Sequence, residues 1–265
     1  MKLGVIGCGK MGRALVEGIL KNGLVSPKET IVFDSYSPAV QEIASDLEVT
    51  EAHSNSEVVS ASDTVLLCVK PQGFLEMLGE IGSSEDKLLI SIAAGVKIEN
   101  IESATNGKHR IIRVMPNTPA LVGRGAGAFA RGSSATAEDA ELTRSLLEAV
   151  GYVCEVAEED LDAVTALSGS GPAYVFLLIE ALVAAGMDQG LSPEIAQNLA
   201  AHTVSGAAEL LLASPDSPTT LRENVTSPNG TTFAALESFR ADHFEEIVQR
   251  AVEAAADRSR ELGQS

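Results

Sequence analysis

Met1-Lys2-Leu3-Gly4-Val5-Ile6-Gly7-Cys8-Gly9-Lys10-Met11-Gly12 opens the chain as an apolar strand, Leu3, Val5 and Ile6, that breaks into a tight glycine turn. The turn starts a helix, because Met11, Ala14, Leu15, Ile19 and Leu20 recur at helical spacing and Gly23 stands where that helix should end. Strand, glycine turn and helix in this order suit a dinucleotide. Gly7 permits the turn, Gly9 lets backbone approach a pyrophosphate, Gly12 allows close helix packing, and the helix's free N–H groups attract the anion. A second strand, Thr30 to Phe33, runs into Asp34, 22 residues after Gly12 (34 minus 12), where an acid that binds ribose is expected.

Working outward, the 265 residues are 45% hydrophobic and 21% charged, ordinary for a globular chain of two domains. No apolar run reaches the roughly 18 residues that a membrane helix needs. The first apolar residues already belong to the glycine-turn strand rather than to an export leader. Cys8, Cys68 and Cys154 are odd in number and lack Cys-x-x-Cys spacing, which fits unpaired thiols in a reducing cytoplasm. A net charge of −18 repels nucleic acid and anionic membranes, so neither is expected as a partner.

Beyond Asp34, Ser37 and Pro38 suit the N-cap and first turn of a helix bearing Val40, Ile43, Ala44 and Leu47. A helix capped near Asn55, a strand Thr64 to Val69, a helix with Phe74, Leu75 and Leu78, and strands Leu88 to Ile92 and Ile111 to Met115 continue the alternation. This rhythm predicts a parallel sheet covered on both faces, with ligand beyond the strands' carboxyl ends. Those ends read Gly7-Cys8-Gly9, Asp34-Ser35, Val69-Lys70-Pro71, Ala93-Ala94-Gly95 and Met115-Pro116-Asn117-Thr118-Pro119. Each alone is a turn; five on one edge point to a cofactor cleft.

From Thr136 the pattern changes to a helix reaching Val150, a last strand Tyr152 to Val156, and then helices only. Glu158-Glu159-Asp160 suits a helix N-terminus. Ser168-Gly169-Ser170-Gly171-Pro172 interrupts the chain before Ala173 to Ala185, a run apolar on every side and too short to span a bilayer. Such a helix must be buried all round, and a partner subunit is its expected cover. Ser192-Pro193-Glu194 starts a helix to Ala213, and Asp242 is placed to cap a final one to about Leu262. Between them, Asn224 to Thr232 forms a polar loop entering a helix, where the N–H groups of Gly230, Thr231 and Thr232 and two hydroxyls can hold a carboxylate. The chain therefore divides into a dinucleotide-binding domain, 1–157, and a helical substrate-binding and dimerisation domain, 158–265.

Five motifs now quoted in part carry a family resemblance: Gly7-x-Gly9-x-Met11-Gly12, Val69-Lys70-Pro71-Gln72, Arg113 to Pro119, Leu167 to Tyr174, and Asn224 to Thr232. Together, in order and across the whole chain, they resemble the pyrroline-5-carboxylate reductases. The resemblance implies an α/β fold, an N-terminal Rossmann-like doubly wound domain followed by an all-helical dimerisation domain. It also implies reduction of 1-pyrroline-5-carboxylate to L-proline by NAD(P)H, in a homodimer or higher homo-oligomer; the cysteines place this in the cytoplasm, as above. Carried over, the cofactor site comprises Ile6, Gly7, Cys8, Gly9, Lys10, Met11, Ser35, Asn55, Cys68, Val69, Lys70, Pro71, Ala93, Ala94 and Asn224. To these the residue reading adds Asp34. The substrate site comprises Glu158, Thr231 and Thr232, to which the loop reading adds Gly230. Thr232 and Glu158 are the candidate catalytic residues, Thr232 by hydrogen-bonding the ring nitrogen and Glu158 by stabilising an iminium cation.

Three positions depart from the family pattern. Lys10 replaces a neutral polar residue, Tyr36 stands where many members have arginine, and Asn229 replaces the first of two glycines, a change that asparagine's tolerance of positive φ accommodates. On cofactor choice, Asp34 and the absence of a fixed positive charge at Tyr36 favour NADH, whereas Ser35 and Asn55 can donate to the 2′-phosphate of NADPH. His53, His109, His202 and His243 show no ligand spacing, and no metal is expected. Two other readings share part of the pattern. A β-hydroxyacid dehydrogenase would need a lysine in the helical domain, and none follows Lys108; a non-enzymatic NAD(P)-sensing protein would bind cofactor without consuming it.

Overall fold

The computed structural model describes residues 1–81 and 86–263. Its strands are β1 (Leu3–Ile6), β2 (Thr30–Phe33), β3 (Thr50–Glu51), β4 (Thr64–Leu67), β5 (Leu88–Ser91), β6 (Arg110–Met115), β7 (Gly125–Arg131) and β8 (Gly151–Glu155). They form one sheet in the order β3-β2-β1-β4-β5-β6-β7-β8. The helices among them are α1 (Lys10–Lys21), α2 (Ser37–Leu47), α3 (Asn55–Ala61), α4 (Phe74–Glu80), α5 (Ile98–Ala104) and α6 (Ala137–Glu148). After the sheet come α7 (Leu161–Val164), α8 (Gly171–Asp188), α9 (Pro193–Ala213), α10 (Pro218–Asn224), α11 (Thr231–Ala241) and α12 (Phe244–Leu262).

The doubly wound arrangement follows from strands that are apolar on both sides. Leu3 and Val5 of β1, Leu66 of β4, and Leu88 and Ile90 of β5 pack with Leu15 and Ile19 of α1, Ile43 of α2 and Leu146 of α6. The alternate residues Ile6, Val65, Leu67 and Leu89 pack with Val58 of α3, Phe74 of α4, Ile101 of α5 and Leu161 of α7. Period-two alternation thus feeds two cores, one per face. Order reverses between β1 and β4, the switch point at which such sheets open a crevice.

The sequence reading omits two strands. β3 is two exposed residues beside β2. β7, Gly125-Ala126-Gly127-Ala128-Phe129-Ala130-Arg131, lacks strand-forming side chains at its start, and it pairs antiparallel with β6 and parallel with β8, so the sheet is mixed rather than parallel. Pairing overrides propensity here because small residues allow close approach: a Cβ on Gly127 would lie 2.7 Å from the Met115 carbonyl oxygen. Several helix boundaries also differ. Tyr36, not Ser37, is the N-cap of α2, and Asp242 closes α11 instead of opening α12; the cap expected near Asn55 is Ser54, which accepts from the Glu57 N–H. Ser168 to Gly171 does not break the chain, because Thr165–Gly169 is a wide helical turn closed by the Ser170 N–H on the Thr165 carbonyl at 2.8 Å. Glu158–Asp188 is consequently one helical stretch of 31 residues, long and apolar enough by composition to cross a membrane, where the sequence reading sees a run too short to do so.

Two compact units emerge: residues 1–170 with 255–265, and residues 171–254. The end of α12 thereby belongs to the first unit, where Ala256 and Ser259 are buried and the Ser259 hydroxyl donates to Asp162 Oδ1. In the second unit, α8 and α9 pack together, and no residue of α8 is buried within the single chain. The expectation that α8 is covered on every side is not met by this chain alone.

Candidate functional site

In the first unit, a cavity of about 590 Å³ lies at the switch point. Its lining includes Ile6, Gly7 and Gly9 after β1, Asp34 and Ser35 after β2, and Cys68, Val69 and Lys70 after β4. Gly7 turns the chain with φ +103, and a Cβ there would lie 2.6 Å from the Cys68 carbonyl. α1 begins at Gly9 with no side-chain cap and no acid in its first turn, leaving its N–H groups and dipole for an external anion. A Cβ on Gly9 would meet no atom within 4 Å. Protein has left that side of the turn open, as close approach of a pyrophosphate requires, and the residues present therefore fit a dinucleotide.

Asp34 does more than line the cavity. Its Oδ2 accepts the Cys8 N–H at 2.7 Å and its Oδ1 the Tyr36 N–H at 2.9 Å, so the carboxylate holds the glycine turn against the end of β2. The Cys8 N–H is therefore not among the donors left to a phosphate. Burial first, then the carboxylates of Asp34 and Glu51, push the Cys8 thiol up to about 12; burial, with Cys8 beside it, raises Cys68 as well. Both are protonated packing groups rather than nucleophiles. Asn55 reaches the same cavity from α3, buried to 7% exposure, with its Nδ2 donating to Glu80 Oε2 at 2.6 Å.

Other expected residues lie apart from this cavity. Lys10, Met11, Pro71, Ala93 and Ala94 belong to the same unit without lining it, Ala93 being buried and Ala94 exposed. Ala93 and Ala94 lead into Gly95, which stands against Leu262 at the end of α12. Glu158 has Oε1 on the Ile98 N–H at 2.8 Å and on Arg113 Nη1 at 2.9 Å, so its charge is already balanced by an arginine side chain only 9% exposed. The sequence reading missed Gln72, Gly73, Glu76, Met77 and Glu80, which line the cavity from the segment after β4 and from α4. The signal was present, since Gln72 extends the quoted Val69-Lys70-Pro71 motif and Glu76 and Glu80 share one helix face at i, i+4.

The second unit holds Asn224 at the end of α10 and the loop into α11. Asn229 takes φ 56, the left-handed conformation expected for it, and the Gly230 N–H donates to the Ser227 carbonyl. α11, like α1, starts at a glycine N-cap with no side-chain cap and no first-turn acid, here followed by the hydroxyls of Thr231 and Thr232. Among the described residues no group of three or more His, Cys, Asp or Glu is placed to hold a metal ion.

Comparison with known proteins finds matches to both parts of the chain. Residues 158–262 match the family model for pyrroline-5-carboxylate reductase dimerisation, and residues 2–95 that for NADP oxidoreductase, coenzyme F420-dependent. A pyrroline-5-carboxylate reductase of Arabidopsis thaliana is 41% identical, over 100% of this chain and 96% of its own length. A solved pyrroline-5-carboxylate reductase from Coxiella burnetii superposes with a TM-score of 0.94 at 35% identity, covering 100% of this chain and 99% of that one. One from Plasmodium falciparum, with NADP bound, gives 0.87 at 34% identity, over 99% and 98%.

Proposed function

The chain belongs to the pyrroline-5-carboxylate reductase family, and on that premise we propose how its residues share the reaction. The activity is the NAD(P)H-dependent reduction of 1-pyrroline-5-carboxylate to L-proline, the last step of proline biosynthesis. When bound, the nicotinamide supplies the hydride. The N–H groups of Gly9, Lys10 and Met11 at the start of α1 would hold the pyrophosphate, with Ile6, Gly7, Cys68, Val69, Lys70 and Pro71 flanking it and Ala93 and Ala94 as further contacts of the same unit; Asn224, in the second unit, keeps its cofactor role only as what the family resemblance implies. Within the NAD(P)H pair the preferred form is NADH, because Asp34 and its ring of accepted bonds present negative charge where a 2′-phosphate would stand, and Tyr36 brings no compensating cation.

The observation that carries the substrate assignment is the second glycine-entered helix start, at Gly230. The Gly230 N–H, expected to hold the carboxylate, is spent on the Ser227 carbonyl, so the N–H groups and hydroxyls of Thr231 and Thr232 are what suit the substrate's carboxylate, and Thr232 donates to or accepts from the ring nitrogen. Hydride transfer requires the two bound molecules to meet, so positioning accounts for most of the rate. A threonine hydroxyl with no activating base is a poor acid, and the imine arrives protonated or takes its proton through water. Glu158, the candidate for balancing an iminium cation, is not a free anion, because Arg113 and the Ile98 N–H already engage its Oε1. The working molecule is a homodimer joined through α8.

The test is NADH or NADPH oxidation, followed in absorbance, on adding 1-pyrroline-5-carboxylate. Turnover is expected; cofactor binding without consumption would instead identify a sensor. Thr232→Ala should lower kcat/KM about tenfold or more, since a hydrogen bond to a charged group is worth roughly 1.5 to 3 kcal/mol. An unchanged kcat/KM removes Thr232 from the site.

A further inference from the structure

We propose that Glu80 is a specificity-determining residue that turns this enzyme toward NADH and against NADPH; the inference rests on the reading above that the switch-point cavity holds the cofactor. Glu80 ends α4, and Asn55 begins α3. Their side chains meet where Asn55 Nδ2 donates to Glu80 Oε2 at 2.6 Å. A carboxylate only accepts, so this contact dictates which way the Asn55 amide faces: turned over, it would set two acceptor oxygens together. One donor of Asn55 is thus taken by protein. Nδ2 keeps a second N–H, which a ribose hydroxyl or a phosphate can equally accept, while Oδ1 is buried and without a partner among the described residues. A buried acceptor lacking a donor suits a hydroxyl, as on an unmodified ribose, and repels a phosphate oxygen.

Charge acts in the same direction. Asp34, Glu76 and Glu80 line the cavity against one cation, Lys70. A 2′-phosphate would add about −1.5 to −2 there. Asp34 cannot turn away to admit it, because both its oxygens are engaged by backbone N–H groups. Ser35 remains as a neutral donor, too weak to offset three carboxylates.

The test measures binding as well as turnover, on the full-length protein. 5′-AMP and 2′,5′-ADP, which differ only in the 2′-phosphate, are titrated by calorimetry, and kcat/KM is measured with NADH and NADPH. Glu80→Gln keeps an oxygen for the Asn55 amide and removes the charge, whereas Glu80→Ala frees the amide as well; Glu80 is exposed, and unchanged thermal midpoints confirm folding. Glu80→Gln is expected to shift both ratios toward the phosphorylated ligand by about tenfold, roughly 1.4 kcal/mol, with a smaller shift at high salt. Glu80→Ala should shift them at least as far, and Glu80→Asp should restore the wild-type preference. Ratios within twofold of wild type in both the Gln and Ala variants overturn the role of Glu80, as does a wild type that prefers NADPH. If wild type binds neither nucleotide and oxidises neither cofactor, the reading of the cavity itself fails and the inference falls with it.

Discussion

Gly9 and Gly12, three positions apart in one turn, obey different constraints. At Gly9 the backbone has φ −68 and a Cβ would touch nothing, so Gly9→Ala should fold with an unchanged thermal midpoint yet weaken dinucleotide binding, because the methyl group fills the space the pyrophosphate needs. At Gly12 a Cβ would lie 2.1 Å from the Gly7 carbonyl oxygen, a backbone atom that cannot swing aside. Gly12→Ala should therefore lower the thermal midpoint as well as binding, by about 1–3 kcal/mol of stability as in other overpacked sites. Calorimetric titration beside a thermal melt separates the two variants. Equal loss of stability in both would show that Gly9 is a folding residue and not an open cradle. Asn229 differs from both, since at φ 56 its conformation favours glycine or asparagine whatever space surrounds it.

At the scale of elements, Glu158 joins three of them. Its carboxylate accepts from the first residue of α5, Ile98, and from Arg113 of β6, while Glu158 itself leads into α7. Removing the acid leaves a nearly buried guanidinium without that partner, and a pair of which one member is about a third exposed should cost roughly 2 kcal/mol on cutting, below the 3–5 kcal/mol of a fully buried one. Glu158→Ala should thus reduce denaturant stability by about that much. A loss of kcat without any loss of stability would instead return Glu158 to direct contact with substrate. Asn117 braces the neighbouring segment, its Nδ2 donating to the Ser168 carbonyl at 3.1 Å and its Oδ1 accepting the Ala126 N–H at 2.8 Å. That bracing ties the start of β7 to the wide helical turn.

For the whole molecule, the exposed apolar surface of α8 is the main unresolved cost of the single chain. Phe176 is 61% and Leu177 66% exposed there, and burying either is worth roughly 1.5–3 kcal/mol. The proposed homodimer covers them. Leu177→Glu should shift the protein toward monomer in sedimentation velocity at micromolar concentration and lower activity with it; a wild-type monomer of full activity would refute the dimer. By itself the sequence determined the glycine turn, the strands that feed it, the place of Asp34, the conformation of Asn229 and the polar entry to α11. Each is written in residues close together in the chain, where periodicity and turn chemistry act. Tertiary structure alone decided the rest: that Gly125 to Arg131 is a strand, which only pairing with β6 and β8 makes stable; that Glu80 meets Asn55 and Glu158 meets Arg113; and that Asp34 grips the turn it faces. Those contacts join groups brought together by the order of strands in the sheet, and no local pattern encodes that order.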